Sequence, residues 1–282
     1  PVDIFLELFN IMIPIINYEY MSDVFLSIDD QPKESLSIIS ERLEMRSLKG
    51  QFAEFTNEYF SLLDFDKNSK ILELGGGTGV IGRNFIEYNN FKGKYVVSDL
   101  SKELLNYGLN KAKKLKLYSH LEFKLIDAMS DKVKEVEMYD AVIMHTLVSH
   151  VPDPAIVIKN AKKYLKKAGK IIIFDADYET LLMASGNKEL DEIVNNAIKK
   201  GCVAQPKVMR VIPKIAKKLE LKLLNFKSNL LFEAGNAEFF HGMGKALSSA
   251  VVKSNQLKED IAIKWISEME KAMSEGTFFG MC

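Results

Sequence analysis

The chain has 282 residues, with 38 basic and 38 acidic side chains, so its formal net charge is zero. Only four of the basic residues are arginine (Arg42, Arg46, Arg83 and Arg210). That argues against a nucleic-acid partner, because such binders use a basic excess and bidentate arginines. Hydrophobic residues make up 47% and charged residues 27%, the balance of a globular chain long enough for a large core. Cys202 and Cys282 lie far apart, and no two histidines stand at i, i+4, so neither a disulfide framework nor a metal site is expected. The longest apolar run near the start, residues 11–16, contains Pro14 and is too short to span a membrane. No basic stretch followed by a cleavage site is visible. The expectation is a cytoplasmic enzyme, monomer or homodimer, without a membrane partner.

Residues 1–65 carry helical apolar stripes (Ile4, Phe5, Leu8, Phe9, Met12, then Ile39, Leu43, Phe52, Phe55, Tyr59 and Leu62) and are expected to form an N-terminal helical cap. Tyr18, Tyr20, Met21 and Arg46 are candidates to reach from it over a ligand. Next comes Ile71-Leu72-Glu73-Leu74-Gly75-Gly76-Gly77-Thr78-Gly79, a short buried strand, a glycine loop and a helix start. Such a unit presents backbone amides at a helix N-terminus to a nucleotide-like ligand. Two registers can be drawn through the loop: G-x-G-x-x-G at Gly77, Gly79 and Gly82, or E-x-G-x-G-x-G at Glu73, Gly75, Gly77 and Gly79.

A second strand, Lys94–Val97, ends at Asp99-Leu100. A carboxylate there can accept from both ribose hydroxyls, or it can cap the helical run of residues 101–115. Leu121–Ile126 is a third strand, followed by Asp127-Ala128, and Tyr139–Met144 a fourth. His145-Thr146 follows it, and Pro154 suits the first turn of a helix closed by Gly169. His150 is expected to brace the intervening loop. Lys170–Phe174 is a fifth strand, with Asp175, Asp177, Tyr178 and Glu179 at its rim. Residues 179–219 read as helices, with Asn187 a cap and Pro206 and Pro213 as starts or breaks; Leu221–Phe232 reads as a long sixth strand and residues 235–275 as helix. There, Trp265 and Met269 share a packing face, and His241, among Phe239 and Phe240, is a candidate base. Thr277–Cys282 reads as the opening of a seventh strand.

The Glu73–Gly79 spacing resembles motif I of the class I S-adenosylmethionine-dependent methyltransferases. The string "YDAVIMHTLVSHVPDP…YLKKAGKIIIFD" is similar to the fourth and fifth strands of that family's small-molecule members, with Lys-Ala-Gly-Lys where a Lys-Pro-Gly-Gly-like turn is usual. The likeness covers roughly residues 66–178. It implies an α/β fold, a doubly wound, seven-stranded, mostly parallel sheet with an antiparallel last strand between the fifth and sixth. It implies S-adenosyl-L-methionine as cofactor, with S-adenosyl-L-homocysteine as product and a small organic acceptor. The cofactor-facing set would be Arg46, Glu73, Gly75, Gly76, Gly77, Thr78, Gly79, Asp99, Leu100, Asp127, Ala128, His145 and Thr146. Glu73 would hold the methionine ammonium, Asp127 the adenine amino group, and His145 would lie near the sulfonium as base or contact. The expected division is a cap at 1–65, a cofactor-binding core at 66–178 and an acceptor-side remainder at 179–282. An NAD-dependent oxidoreductase, a non-catalytic cofactor-binding domain and a protein or RNA methyltransferase are the competing readings.

Overall fold

The computed structural model describes residues 23–48, 50–117 and 119–282, with all their side chains except those of residues 29 and 46–48. Tyr18, Tyr20, Met21 and the Arg46 side chain, expected to reach over the ligand, lie outside that description.

Five strands form a parallel sheet: β1 (Lys70–Leu74), β2 (Lys94–Asp99), β3 (Leu121–Leu125), β4 (Tyr139–His145) and β5 (Leu165–Phe174). Their order is β3-β2-β1-β4-β5. The chain therefore winds one way through β1, β2 and β3, then crosses back to place β4 on the other side of β1. That reversal leaves a crevice beyond the carboxyl ends of β1 and β4, where open α/β sheets bind ligands. Both faces of the sheet are covered, which is why its central strands read as unbroken apolar runs. Ile71, Tyr95 and Val97 pack with Phe60 and Phe85 on one face, while Leu72, Leu74 and Val142 pack with Val157 and Ile158 on the other.

The helices begin where local chemistry directs them. α3 (Val80–Tyr88) starts straight after the glycine loop, and α4 (Lys102–Lys114) is capped by Ser101, whose hydroxyl accepts from Leu104 N. α5 (Pro154–Tyr164) has Pro154 at its first turn and Asp153 as cap, accepting from Ala155 N and Ile156 N. Two earlier helices, α1 (Lys33–Leu48) and α2 (Gly50–Phe60), pack on the parallel-sheet unit. Leu36 and Ile39 of α1 meet Leu104 of α4, and Glu44 of α1 pairs with the buried Arg83 of α3.

Beyond β5, three short strands form a separate antiparallel sheet: β6 (Leu182–Ala184), β7 (Phe232–Ala234) and β8 (Phe279–Met281), in the order β6-β8-β7. Helices α6 (Lys188–Gly201), α8 (Glu238–Lys253) and α9 (Glu259–Ser274) close over it around Val194, Phe240, Trp265 and Met269. Asn187 caps α6 as expected, accepting from Leu190 N. α7 (Val208–Lys218) packs instead on the parallel sheet through Val208 and Ile212.

Three expectations are corrected. The single seven-stranded sheet is found as five parallel strands plus this three-stranded sheet, whose last strand is antiparallel between its neighbours. The long sixth strand over Leu221–Phe232 shrinks to Phe232–Ala234. The reason lies in its alternation: Asn225, Lys227 and Asn229 interrupt one face and Lys222 and Ser228 the other, so neither face is continuously apolar. Lys227 and Asn229 instead bond Glu58 of α2, and Leu223, Leu224, Phe226 and Leu230 stay exposed. Pro213 lies inside α7 rather than at its end.

Candidate active site

The glycine loop leaves β1 in a left-handed conformation at alternate residues, with φ of +67° at Gly75, +54° at Gly77 and +70° at Gly79. Side chains with a Cβ rarely adopt that region, and glycine does so without strain. Gly76 N donates to Ser98 O (2.8 Å) and Gly77 N to Asp99 Oδ2 (2.8 Å), which ties the loop to the end of β2. Asp99 Oδ1 also accepts from Ser101 N at 2.8 Å, so this acid organises the loop and the start of α4 together, while the cap itself is Ser101. Gly108 of α4 supports the loop from behind. A Cβ there would stand 2.1 Å from the Thr78 carbonyl oxygen.

Beyond the strand ends lies a cavity of about 360 Å³. Ten of the sequence-predicted residues line it: Glu73, Gly75, Gly76, Gly77, Asp99, Leu100, Asp127, Ala128, His145 and Thr146. Thr78 and Gly79 do not. Thr78 is buried beneath the loop and Gly79 starts α3, so both shape the loop from within. His241 is not among the lining residues either. It sits on α8, with Nε2 3.2 Å from Glu270 on α9, and Lys245 pairs with the same carboxylate.

Glu73 is nearly inaccessible to solvent. Tyr95 Oη donates to its Oε2 at 3.1 Å, and Arg83 is the cation nearest in effect. Burial raises its carboxyl to about 8, against the opposing pull of the Tyr95 hydrogen bond. A buried acid so weakly compensated favours a cationic ligand group. His145 ends β4, stacked on Phe174 with ring centroids 4.7 Å apart, and its Nδ1 is 2.8 Å from Tyr59 Oη of α2. Thr146 follows at φ +54°, an uncommon conformation for a β-branched residue, held by its amide donating to Phe174 O at 2.7 Å. Asp127 Oδ1 accepts from Met129 N, and Asn160 of α5 donates to the Ala128 and Ser130 carbonyls.

The sequence reading missed Asn160, Tyr59 as the partner of His145, and Asp23. Asp23 is buried and bonds His150, which also lines the cavity. No local pattern signals these contacts, since Tyr59 and Asp23 stand 86 and 127 residues from their partners. Phe25, Leu26, Ile28 and Leu43 complete an apolar wall, and neither Lys nor Arg occurs among the described lining residues.

The sequence profile of a family described as a methyltransferase domain matches residues 65–228. The chain is 29% identical over 122 residues to phosphoethanolamine N-methyltransferase 3 of Arabidopsis thaliana, covering 43% of this chain and 24% of that protein. It is 28% identical over 111 residues to a ubiquinone/menaquinone biosynthesis C-methyltransferase of Rhizobium rhizogenes, covering 39% of this chain and 42% of the other. The chain thus spans well under half the length of the curated relatives it matches. Among solved structures, the YcgJ protein of Bacillus subtilis superposes with a TM-score of 0.54 at 14% identity, over 82% of this chain and 94% of that one. A Haemonchus contortus phosphoethanolamine N-methyltransferase 2, in complex with phosphomonomethylethanolamine and S-adenosylhomocysteine, gives 0.52 at 14% identity, over 92% and 59%. At such identities the structural likeness speaks for the fold.

Proposed function

This chain belongs to the methyltransferase-domain family, and we propose that it transfers the methyl group of S-adenosyl-L-methionine to a small, largely apolar acceptor. One observation carries the reading: Glu73, Gly75, Gly76 and Gly77, together with Asp99 and Asp127, line one cavity at the point where the strand order reverses. Glu73 supplies a buried acid for an ammonium group, Asp99 a carboxylate at the end of β2 for ribose hydroxyls, and Leu100, Asp127 and Ala128 a shelf for a purine. The pyrophosphate of a dinucleotide would meet Glu73 and Asp99 without a cation among the described lining residues, which disfavours NAD. When bound, the cofactor supplies a methyl carbon already activated by its sulfonium.

What the chain adds is positioning and exclusion of water. Residues 66–178 act as the cofactor-binding core. Residues 1–65 act as a lid, whose described part contributes Phe25, Leu26, Ile28 and Leu43 to the cavity lining. Residues 179–282 complete the acceptor side. The apolar wall and the lack of lining cations among the described residues support an uncharged acceptor. His145 orients groups near the reacting carbon. His241, bonded to Glu270 away from the cavity, is left to a structural role.

Isothermal titration tests the cofactor assignment. S-adenosylhomocysteine is expected to bind, and NADH is not. Tight NADH binding with no response to S-adenosylhomocysteine would overturn it. Mass spectrometry of a small-molecule extract incubated with the protein and isotope-labelled methyl donor identifies the acceptor.

A further inference from the structure

The zero net charge of the chain conceals a local asymmetry. Residues 162–170 carry five lysines and residues 214–227 another five, against a single acid within the two stretches, Glu220. The fold brings these stretches together. Lys162 Nζ, near the end of α5, donates to Leu219 O just beyond α7 at 2.7 Å, and Tyr164 and Leu165 share a core with Ile212, Ile215 and Leu221. The lysines therefore gather along the side of the molecule bounded by β5, the outermost strand of the parallel sheet. Carboxylates offset some of the charge: Lys166 pairs with Asp140, Lys170 with Asp64 and Lys227 with Glu58 of α2. Lys162 and Lys163 bond neutral oxygens, and Lys167, Lys217 and Lys222 are exposed.

The same side presents apolar groups to solvent. Leu224 and Phe226 are 65% and 54% exposed, and Leu223 and Leu230 are about half exposed. Leu62, just past α2, is also exposed, and its carbonyl accepts from Lys170 Nζ. A single exposed leucine is ordinary, but four large apolar side chains within residues 223–230, bordered by lysines, mark a contact surface.

We propose that this face seats the protein on an anionic bilayer surface, with Leu224 and Phe226 entering the headgroup region and the surrounding lysines meeting lipid phosphates and carboxylates. Charge complementarity selects that partner. A second copy of the chain, applied through the same face, would set lysine against lysine. Nucleic acid is met best by arginine, and all four arginines lie outside both stretches. A bilayer offers what both halves of the face require, a negative surface potential for the lysines and an acyl boundary for leucine and phenylalanine. Lysine suits such a boundary, because its stem lies along apolar surface while the ammonium stays in water. Contact at headgroup depth also keeps the amides of residues 222–230, which have no backbone partner among the described residues, within reach of water. Deeper burial would leave them unpaired. None of these residues lines the cavity, so seating on lipid is independent of the methyl-transfer reading.

Co-sedimentation of the full chain with vesicles tests this, comparing pure phosphatidylcholine with a mixture containing about one-third phosphatidylserine. At about 0.1 M salt the protein is expected to partition at least about tenfold more strongly onto the anionic vesicles, and rising salt should release it. Two double variants separate the two contributions. Leu224→Ser with Phe226→Ser should weaken partition about tenfold by removing the inserted groups. Lys217→Glu with Lys222→Glu should weaken it about tenfold or more by reversing two charges at the surface. All four positions are exposed, so the unfolding midpoints of both variants should match the parent's. A parent that does not partition, or partitions equally onto neutral and anionic vesicles, overturns the proposal. Undiminished partition of both variants overturns it too. A concentration-dependent dimer that Phe226→Ser dissociates would assign the face to a second copy, and an RNA duplex bound in preference to anionic vesicles would assign it to nucleic acid; either result overturns the lipid assignment.

Discussion

Glu73 is a carboxyl placed where water cannot hydrate it, and its energetics follow from that. Its value is near 4.5 in an unfolded chain and about 8 in the fold, so folding takes up a proton between those limits. The associated stability is full below pH 4.5 and is lost as pH rises through 8. Glu73→Gln should therefore flatten the stability profile over that window, measured by urea denaturation at a series of pH values. A profile as steep as the parent's would mean that Glu73 is ionised in the fold. Asp99 carries a different load, because both its oxygens already accept backbone amides. Asp99→Ala should weaken S-adenosylhomocysteine binding by about 1–3 kcal/mol, through lost charge-assisted hydrogen bonds and a loosened glycine loop. An unchanged affinity by calorimetry would confine Asp99 to bracing. Both acids were legible in the sequence because each sits at a strand end beside a glycine or helix-start signal. Tyr59, Asp23 and Asn160 were not, because their contacts arise only when distant segments meet.

At the scale of elements, the parallel core followed its patterns closely. Strands β1 to β4 began and ended within a residue or two of their apolar runs, and the caps at Ser101, Asp153 and Asn187 formed as the side chains direct. Residues 222–230 did not follow theirs. Their amides find no backbone partner among the described residues, and the segment lies near α2 through Lys227 and Asn229. Hydrogen exchange should accordingly be fast over 222–230 and slow in β1 and β4. Slow exchange across 222–230 would instead support a continuous sheet that includes this segment. The pattern misled because a period-2 run is stable only when one whole face finds cover, and polar residues break both faces here.

Across the whole molecule, the parallel-sheet unit and the C-terminal antiparallel unit have separate cores but are tied at several points. Tyr178 N donates to Pro206 O, Gln205 N to Ser149 O, and Gln51 exchanges bonds with Phe232. Phe52 of α2 contacts both Phe174 and Phe239, and Arg210 pairs with Asp177. Trp265 is the sole tryptophan and is fully buried in the second core, with Nε1 donating to Asp191 at 2.9 Å. Its fluorescence therefore reports that unit, while far-UV circular dichroism reports the whole. The two unfolding curves should coincide, and S-adenosylhomocysteine should shift both to higher denaturant. Separated curves would show the units unfolding independently. The sequence alone determined the family, the strand–glycine–helix unit and the acids that line the cavity, because these depend on residues adjacent in the chain or set by strand and helix periodicity. Only the tertiary structure decided which histidine meets a carboxylate and which a phenol, that His241 stands apart, and that the last strands form their own sheet. Those outcomes depend on long-range packing, where a residue's chemistry is set by neighbours that local pattern does not encode.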